Sequence, residues 1–331
     1  MRSAVFVEPG LLVVEASERP DVGARDLLLR VEACGVCGSD VASYLHGHYA
    51  VAGQVLGHEM SALVESVGAD VTGRDHLAVG TRVAVRPARA CQRCDYCTEG
   101  RPGLCGESGA RTLGYGARGG FAEWVVITDV DLGADVVAVP ADLSPNEVLW
   151  AEPLAVAVHA VRRARLSSGE RLAVIGGGSV GLCVAAAAIA AGVAQVLVIE
   201  PREARRAAAS LIGADATAPD SLPGPSAVDA VIDTSGAASA IAATSQLVRS
   251  GGRLVLVGLG GSPLPWPPGP FDVTTSFAYD DSDFALAVEH IVTGRVRLGR
   301  FLTHTFGLDQ TGAAIEASAH DESVIKAAVR P

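Results

Sequence analysis

Lysine is all but missing from this sequence: a single residue, Lys326, stands among 331 positions rich in arginine, alanine and glycine. That scarcity follows a GC-rich coding bias and excludes no chemistry. Other absences exclude more. No run of about 20 uninterrupted apolar residues occurs, so hydropathy offers no bilayer-spanning helix. The opening Met1-Arg2-Ser3-Ala4-Val5-Phe6-Val7-Glu8 meets an acid and then a proline too early for a secretory signal. A cytoplasmic location is the expectation. Basic residues are outnumbered, 26 Lys and Arg against 37 Asp and Glu, for a net charge of −11. Such a balance lacks the electrostatic footprint of a nucleic-acid or anionic-membrane binder and points to a small-molecule partner. There is no internal repeat.

What remains is a chain long enough for two domains, 49% hydrophobic. The first 150 residues are rich in valine and glycine. Short apolar runs at Asp26 to Val31, Ala62 to Val67 and Thr81 to Val85 read as strands between turn signals. From Ala151 the texture changes. A helical stretch to about Ala164 precedes β-type runs at Arg171 to Gly176, Gln195 to Glu200, Val228 to Thr234, Arg253 to Leu259 and Val273 to Ala278, separated by alanine-rich helical segments. That alternation predicts an α/β domain with a doubly wound parallel sheet. Pro263 to Pro268 can continue neither element and reads as a loop. A helix around Ser282 to Thr293 follows, and after it the strand-like runs at Phe301 to Phe306 and Ser323 to Val329 end the chain and are placed with the first domain.

Seven cysteines in a reducing compartment argue for metal rather than disulfides. Cys91, Cys94, Cys97 and Cys105 stand in a C-x2-C-x2-C-x7-C array within a polar, glycine-rich loop at about 90–106. Four thiolates in one short loop suit the closed tetrahedral coordination of a structural zinc, and an iron–sulfur cluster is the alternative. A second, open site has to be assembled from scattered residues. Cys37, His58 and Glu59 supply thiolate, imidazole and carboxylate, ligand types that catalytic zinc accepts while keeping one position for substrate. Cys34 and Cys37 also fit a redox C-x-x-C pair.

A nucleotide site is legible from residues alone. Arg171 to Ile175 runs straight into Gly176-Gly177-Gly178-Ser179-Val180-Gly181 and then into a helix, giving G-x-G-x-x-G between strand and helix. The glycines Gly176, Gly178 and Gly181 permit the turn, the approach of pyrophosphate and close packing. The helix N-terminus at Ser179 and Val180 favours phosphate charge. Glu200 closes the next strand, where an acid grips both ribose hydroxyls and repels a 2′-phosphate. NAD is therefore expected, with NADP the alternative through Arg202, Arg205 and Arg206.

With these motifs in place the chain resembles the zinc-containing medium-chain dehydrogenase/reductase family, particularly its polyol and threonine dehydrogenase branches. The resemblance runs through Cys37-Gly38-Ser39-Asp40, Gly57-His58-Glu59, the four-cysteine loop, Gly119-Gly120-Phe121-Ala122-Glu123, Glu152-Pro153-Leu154-Ala155 and the glycine loop. It implies a GroES-like catalytic domain formed by 1–150 and 291–331, with a Rossmann domain at 151–290 inserted between and the chemistry in the cleft. It further implies that Cys37 and His58 hold catalytic zinc with Glu59 or Glu152 as third ligand, and that Cys34 and Cys183 are buried thiols. Ser39 is implied to hand the substrate proton outward and Arg205 to accompany NAD binding. The implied reaction passes a hydride between a secondary alcohol and NAD, in a homodimer or homotetramer. A zinc-free quinone or enone reductase and a non-catalytic binding protein are the rival classes. One departure stands out: many relatives place a histidine five residues after the zinc-binding cysteine, and this chain has Ala42, with His46 and His48 shortly after. The proton is therefore expected to pass from Ser39 through ribose or water.

Overall fold

A computed structural model describes residues 1–99, 101–258 and 269–331. The loop read at Pro263 to Pro268 lies outside the described residues. Contacts divide the chain into two compact units, Met1–Glu152 with Asp280–Pro331, and Pro153–Tyr279. The chain returns to the first unit at Asp280, so helix Asp281–Val292 lies in that unit, ahead of the return at 291 expected from sequence.

The first unit opens with an antiparallel hairpin, β1 (Arg2–Glu8) and β2 (Leu11–Ala16). Strands β3 (Leu27–Gly35), β4 (Glu59–Val67), β5 (Arg82–Val85), β6 (Trp124–Ile127) and β7 (Val136–Ala138) follow. Strand β3 shows why this half is sheet. Leu27, Leu29 and Val31 alternate into a core shared with Met60, Phe121 and Ile127, while Arg30 between them is exposed. The helix Gly38–His46 starts at Cys37, whose N–H donates to Asp40 Oδ2 at 2.9 Å, and ends at Gly47, whose φ of 68° few other residues tolerate.

The second unit is a six-stranded sheet of β8 (Arg171–Ile175), β9 (Gln195–Ile199), β10 (Asp215–Thr217), β11 (Val228–Asp233), β12 (Val248–Leu256) and β13 (Asp272–Thr275). Its order is β10-β9-β8-β11-β12-β13, every pair parallel. This is the 3-2-1-4-5-6 order of doubly wound dinucleotide folds, whose ligands bind beyond the strand ends where the order reverses. Here that point lies between β8 and β11, and the glycine run leaves β8 there. Strand β8 is apolar on both faces because helices cover both. Helix Ser179–Ala190 is correspondingly buried from Gly181 to Ala188, with Cys183 fully enclosed.

Strands β14 (Leu302–Gly307) and β15 (Lys326–Arg330) complete the first unit. They are parallel to one another, and β15 pairs antiparallel with β3, giving the order β14-β15-β3-β4-β5-β7 with β6 also on β3. In that register Gly35 lies opposite both Glu59 and Ala328. The end of β3 and the starts of β4 and β15 therefore meet where Cys37 begins its helix. Among the described residues no helix is long and apolar enough to cross a membrane.

Candidate functional site

Cys37, His58 and Glu59 present one ligand atom each within 4.8 Å of one another. Each is placed by backbone necessity. Cys37 caps a helix, and His58 follows Gly57, whose φ of 88° and lack of a side chain are both required, since a Cβ there would stand 2.8 Å from Cys34 Sγ and Phe121 Cδ1. Asp40 ties the two segments together. Its Oδ2 accepts from Cys37 N–H at 2.9 Å, its Oδ1 accepts from Gly57 N–H at 3.2 Å, and Oδ1 stands 3.7 Å from His58 Nδ1.

Charge in this cluster is unbalanced in a telling way. Burial works against a charged His58, but the Tyr115 phenol, Asp40 and Cys37 around it prevail and hold its pKa well above the ordinary histidine value. Burial raises Asp40, partly opposed by His58. Glu59 has no exposed surface, and among the described residues its Oε1 has no hydrogen-bond partner. An orphaned buried carboxylate oxygen is costly unless a cation meets it. These residues fit a divalent metal. The other oxygen, Oε2, accepts from the ammonium of Lys326, which also donates to Val36 O at 3.1 Å and lies 5.4 Å from the Trp150 ring centroid. Gly35 makes room for this pair, because a Cβ there would fall 2.5 Å from Glu59 Oε2 and 2.8 Å from Lys326 Cε.

Glu152 does not join the Cys37, His58 and Glu59 set. It begins helix Ala151–Ala164, and its pKa is pushed up to about 7, by desolvation first and also by Glu59, against the pull of His58 and Lys326. Ser39, part-buried in the first turn of its helix, accepts from Tyr115 Oη at 2.6 Å. Burial first, then Cys37 and Asp40, raise the Tyr115 pKa and keep its phenol protonated, against His58 and the bond to Ser39.

Cys91, Cys94, Cys97 and Cys105 also converge, their sulfurs all within 4.8 Å of one another, with Cys94 Sγ 3.5 Å and Cys91 Sγ 3.9 Å from Cys97 Sγ. Thiolates about 2.3 Å from one tetrahedral ion stand about 3.8 Å apart. The spacing therefore fits a single ion, and a multi-iron cluster would splay the sulfurs across its irons. Backbone N–H groups of Cys91 and Cys94 donate to Cys105 Sγ at 3.3 Å and Cys91 Sγ at 3.4 Å, which favours thiolates.

In the second unit Gly176 adopts φ 90°, and a Cβ on Gly181 would overlap Gly176 O at 1.9 Å, so strand and helix pack as closely as the turn allows. Gly178 caps helix Ser179–Ala190, whose first turn holds Ser179 and Val180. Buried Glu200 accepts from Gly177 N–H through Oε2 at 2.6 Å and from Arg202 N–H through Oε1 at 2.8 Å. Each oxygen keeps a lone pair for a further donor. Arg205 lies over the loop, its Nη1 3.5 Å from where a Gly178 Cβ would be, and desolvation, then Arg202, lowers its pKa, opposed by Glu200.

Comparison with known proteins agrees with both halves of this picture. The alcohol dehydrogenase GroES-like domain family matches residues 23–140, and the zinc-binding dehydrogenase family matches residues 179–293. A sorbitol dehydrogenase of Arabidopsis thaliana is 32% identical over 93% of this chain and 89% of its own length. The chain belongs to the zinc-dependent medium-chain dehydrogenase/reductase family. Among solved structures of this kind, a chain from Sinorhizobium meliloti 1021 bound to NADP superposes with a TM-score of 0.89 at 27% identity, covering 100% of this chain and 99% of the other. The 2R,3R-butanediol dehydrogenase from Bacillus subtilis gives 0.87 at 26% identity, with 100% and 99% covered.

Three residues of this dehydrogenase escape a reading of its sequence. Asp40 had a signal, the helix-capping spacing Cys37-x-x-Asp40. Lys326 had one as well, a lone lysine heading the apolar strand Lys-Ala-Ala-Val-Arg. Tyr115 had none, since nothing local ties it to Ser39. His46 and His48 are exposed, and among the described residues neither bonds Ser39.

Proposed function

We propose that this zinc-dependent dehydrogenase oxidises a secondary alcohol, with NAD as hydride acceptor, and that its substrates are polyhydroxylated or amino-substituted. The observation that carries the reading is the convergence of Cys37, His58 and Glu59 around the unpartnered Glu59 Oε1. Cys37, His58 and Glu59 hold the catalytic zinc, and Cys91, Cys94, Cys97 and Cys105 hold the structural one. When bound, zinc polarises the substrate hydroxyl and the nicotinamide takes the hydride.

The chain's own groups do the rest. Asp40 ties the helix carrying Cys37 to the backbone just before His58. Lys326 fixes the rotamer of Glu59, so that one oxygen remains for metal. Ser39 Oγ receives the proton leaving the substrate hydroxyl, and Glu152, close to neutral in its proton affinity, supplies a second carboxyl at the site. Gly176, Gly178, Ser179, Val180 and Gly181 cradle the pyrophosphate, while Glu200 accepts from ribose hydroxyls and disfavours a 2′-phosphate.

Substrate polarity follows from the acids. An alkyl chain would leave the Glu152 carboxyl unpaired, whereas a further hydroxyl or amino group satisfies it. Similarity to sorbitol and butanediol dehydrogenases supports the same class. A cytoplasmic homo-oligomer completes the reading. The test is NADH formation from a panel of polyols, cyclitols, amino alcohols and aliphatic alcohols. A strong preference for aliphatic alcohols refutes the substrate class, and more efficient use of NADP refutes the role given to Glu200.

A further inference from the structure

Ser39 receives the substrate proton in the proposed function, yet its own helix offers no onward partner. Ala42, one turn along, presents a methyl group where the resemblance leads one to look for an imidazole. The partner comes from 76 residues away. Tyr115 Oη donates to Ser39 Oγ at 2.6 Å, and among the described residues it is the one protein group that bonds that oxygen.

Tyr115 reaches this position on a turn with little freedom. The N–H groups of Gly116 and Ala117 converge on Thr112 O at 3.1 and 3.0 Å, and Gly114 N–H donates to Ala117 O at 2.9 Å. The buried Gln54 amide donates to Gly114 O at 2.8 Å and also to Tyr115 O. A Cβ on Gly114 or Gly119 would lie 2.8 or 2.3 Å from Gly57 O, so the turn is seated on the residue preceding His58. The Tyr115 ring packs with its centroid 5.3 Å from that of His58 and 6.4 Å from that of Tyr49. A phenol held this firmly has a defined hydrogen-bond direction.

We propose that Tyr115 is a positioning residue for the dehydrogenase reaction, fixing the Ser39 hydroxyl and continuing its hydrogen-bonded chain outward. The inference rests on the dehydrogenase reading above. A hydroxyl donates once and accepts twice. With Tyr115 donating to Ser39 Oγ, the Ser39 proton is directed to the substrate oxygen, as ketone reduction requires. In alcohol oxidation the chain runs in reverse. The substrate O–H breaks as an O–H forms on Ser39, the Ser39 proton passes to Tyr115 Oη, and the Tyr115 proton leaves to water. Both residues end as neutral hydroxyls, and with NAD bound the electron pair of the C–H bond would leave as hydride to it.

The experiment compares wild type, Tyr115→Phe, Ser39→Ala and the double variant, each verified for zinc content, with Tyr115→Leu as a control for ring packing. Tyr115→Phe should lower kcat by about 10-fold or more with KM and NADH affinity nearly unchanged, the scale of a disturbed proton transfer. It should also raise the solvent deuterium isotope effect and cost nothing further in the Ser39→Ala background. Independently of turnover, a crystal structure of Tyr115→Phe should show Ser39 leaving its wild-type rotamer. Wild-type kcat and isotope effect in Tyr115→Phe, additive losses in the double variant, an unmoved Ser39, or impairment confined to Tyr115→Leu would each overturn the assignment. Should the wild type oxidise no secondary alcohol, the dehydrogenase reading falls, and the Ser39 rotamer alone decides the pairing of the two hydroxyls.

Discussion

Lys326 and Glu59 form an ion pair with no side-chain surface exposed on either partner. Breaking such a pair from one side leaves the other charge buried alone, at a cost of about 3–5 kcal/mol. Lys326→Met should therefore lower the urea unfolding free energy by about that amount and reduce zinc content, and adding Glu59→Gln should restore part of the stability. Unchanged unfolding of Lys326→Met would show that the pair is not what holds Glu59.

Two zinc ions per chain with separable roles are expected from the two clusters. Metal analysis should find both. Cys37→Ala should lose turnover and one equivalent of zinc while keeping its fold and NADH affinity, because the open site contributes chemistry more than structure. Cys97→Ser should instead unfold earlier, since a closed four-thiolate site contributes folding energy directly. Normal turnover by Cys37→Ala would sink the catalytic assignment.

Glu200 holds the glycine loop, and in the proposed function it also selects the cofactor. Glu200→Ala removes the acceptor of Gly177 N–H and Arg202 N–H, a loss of about 1–3 kcal/mol for buried donors left unpaired. Isothermal titration should show NAD binding about 10-fold weaker or more and a narrower gap to NADP. A wider gap would contradict this account.

Acid stability should depend on Glu32. Arg82 grips both of its oxygens, Nε to Oε2 at 2.6 Å and Nη2 to Oε1 at 2.8 Å, bridging β3 and β5 across β4. Burial alone would raise its pKa, but the Arg82 hydrogen bonds and charge prevail, with Ser61 assisting, and hold it below the ordinary carboxylate value. A depressed folded-state pKa means stability that is fully present above the unfolded value and lost as pH falls through the folded one. Urea titrations should show Glu32→Gln weaker than wild type by about 1–3 kcal/mol at pH 7. The difference should shrink as the pH drops below the ordinary carboxylate range, and a constant difference down to acid would rule Glu32 out as its source.

What the sequence discloses follows the range of the interactions. The four-cysteine loop and the glycine run are legible because their members lie within a few residues of one another and carry their own geometry. The longer strands β3, β4, β8, β9 and β11 declare themselves by apolar patterning. Strands β6, β7 and β10 span only three or four residues and give no period to read. Strand β12 begins at Val248, ahead of the expected Arg253, because Ser250, Gly251 and Gly252 look like a turn and are instead carried within the strand. The catalytic cluster is assembled by sheet register. Lys326 meets Glu59 across 267 residues and Tyr115 meets Ser39 across 76, separations at which no local pattern survives. The resemblance supplied Cys37, His58 and Glu59, whereas their supporting residues emerge only from the folded chain.

Burial of the one lysine gives this chain an unusual response to amine chemistry. An acylating reagent such as an N-hydroxysuccinimide ester meets no lysine side chain in the folded protein, because Lys326 is the one lysine of the sequence and its side chain has no solvent-exposed surface. Its amine becomes reactive when the packing of Lys326 against Glu59, Val36 and Trp150 opens. Acylation of Lys326, read by mass spectrometry, therefore reports opening of the fold at that one buried point, in a protein whose other charged side chains are silent to the reagent.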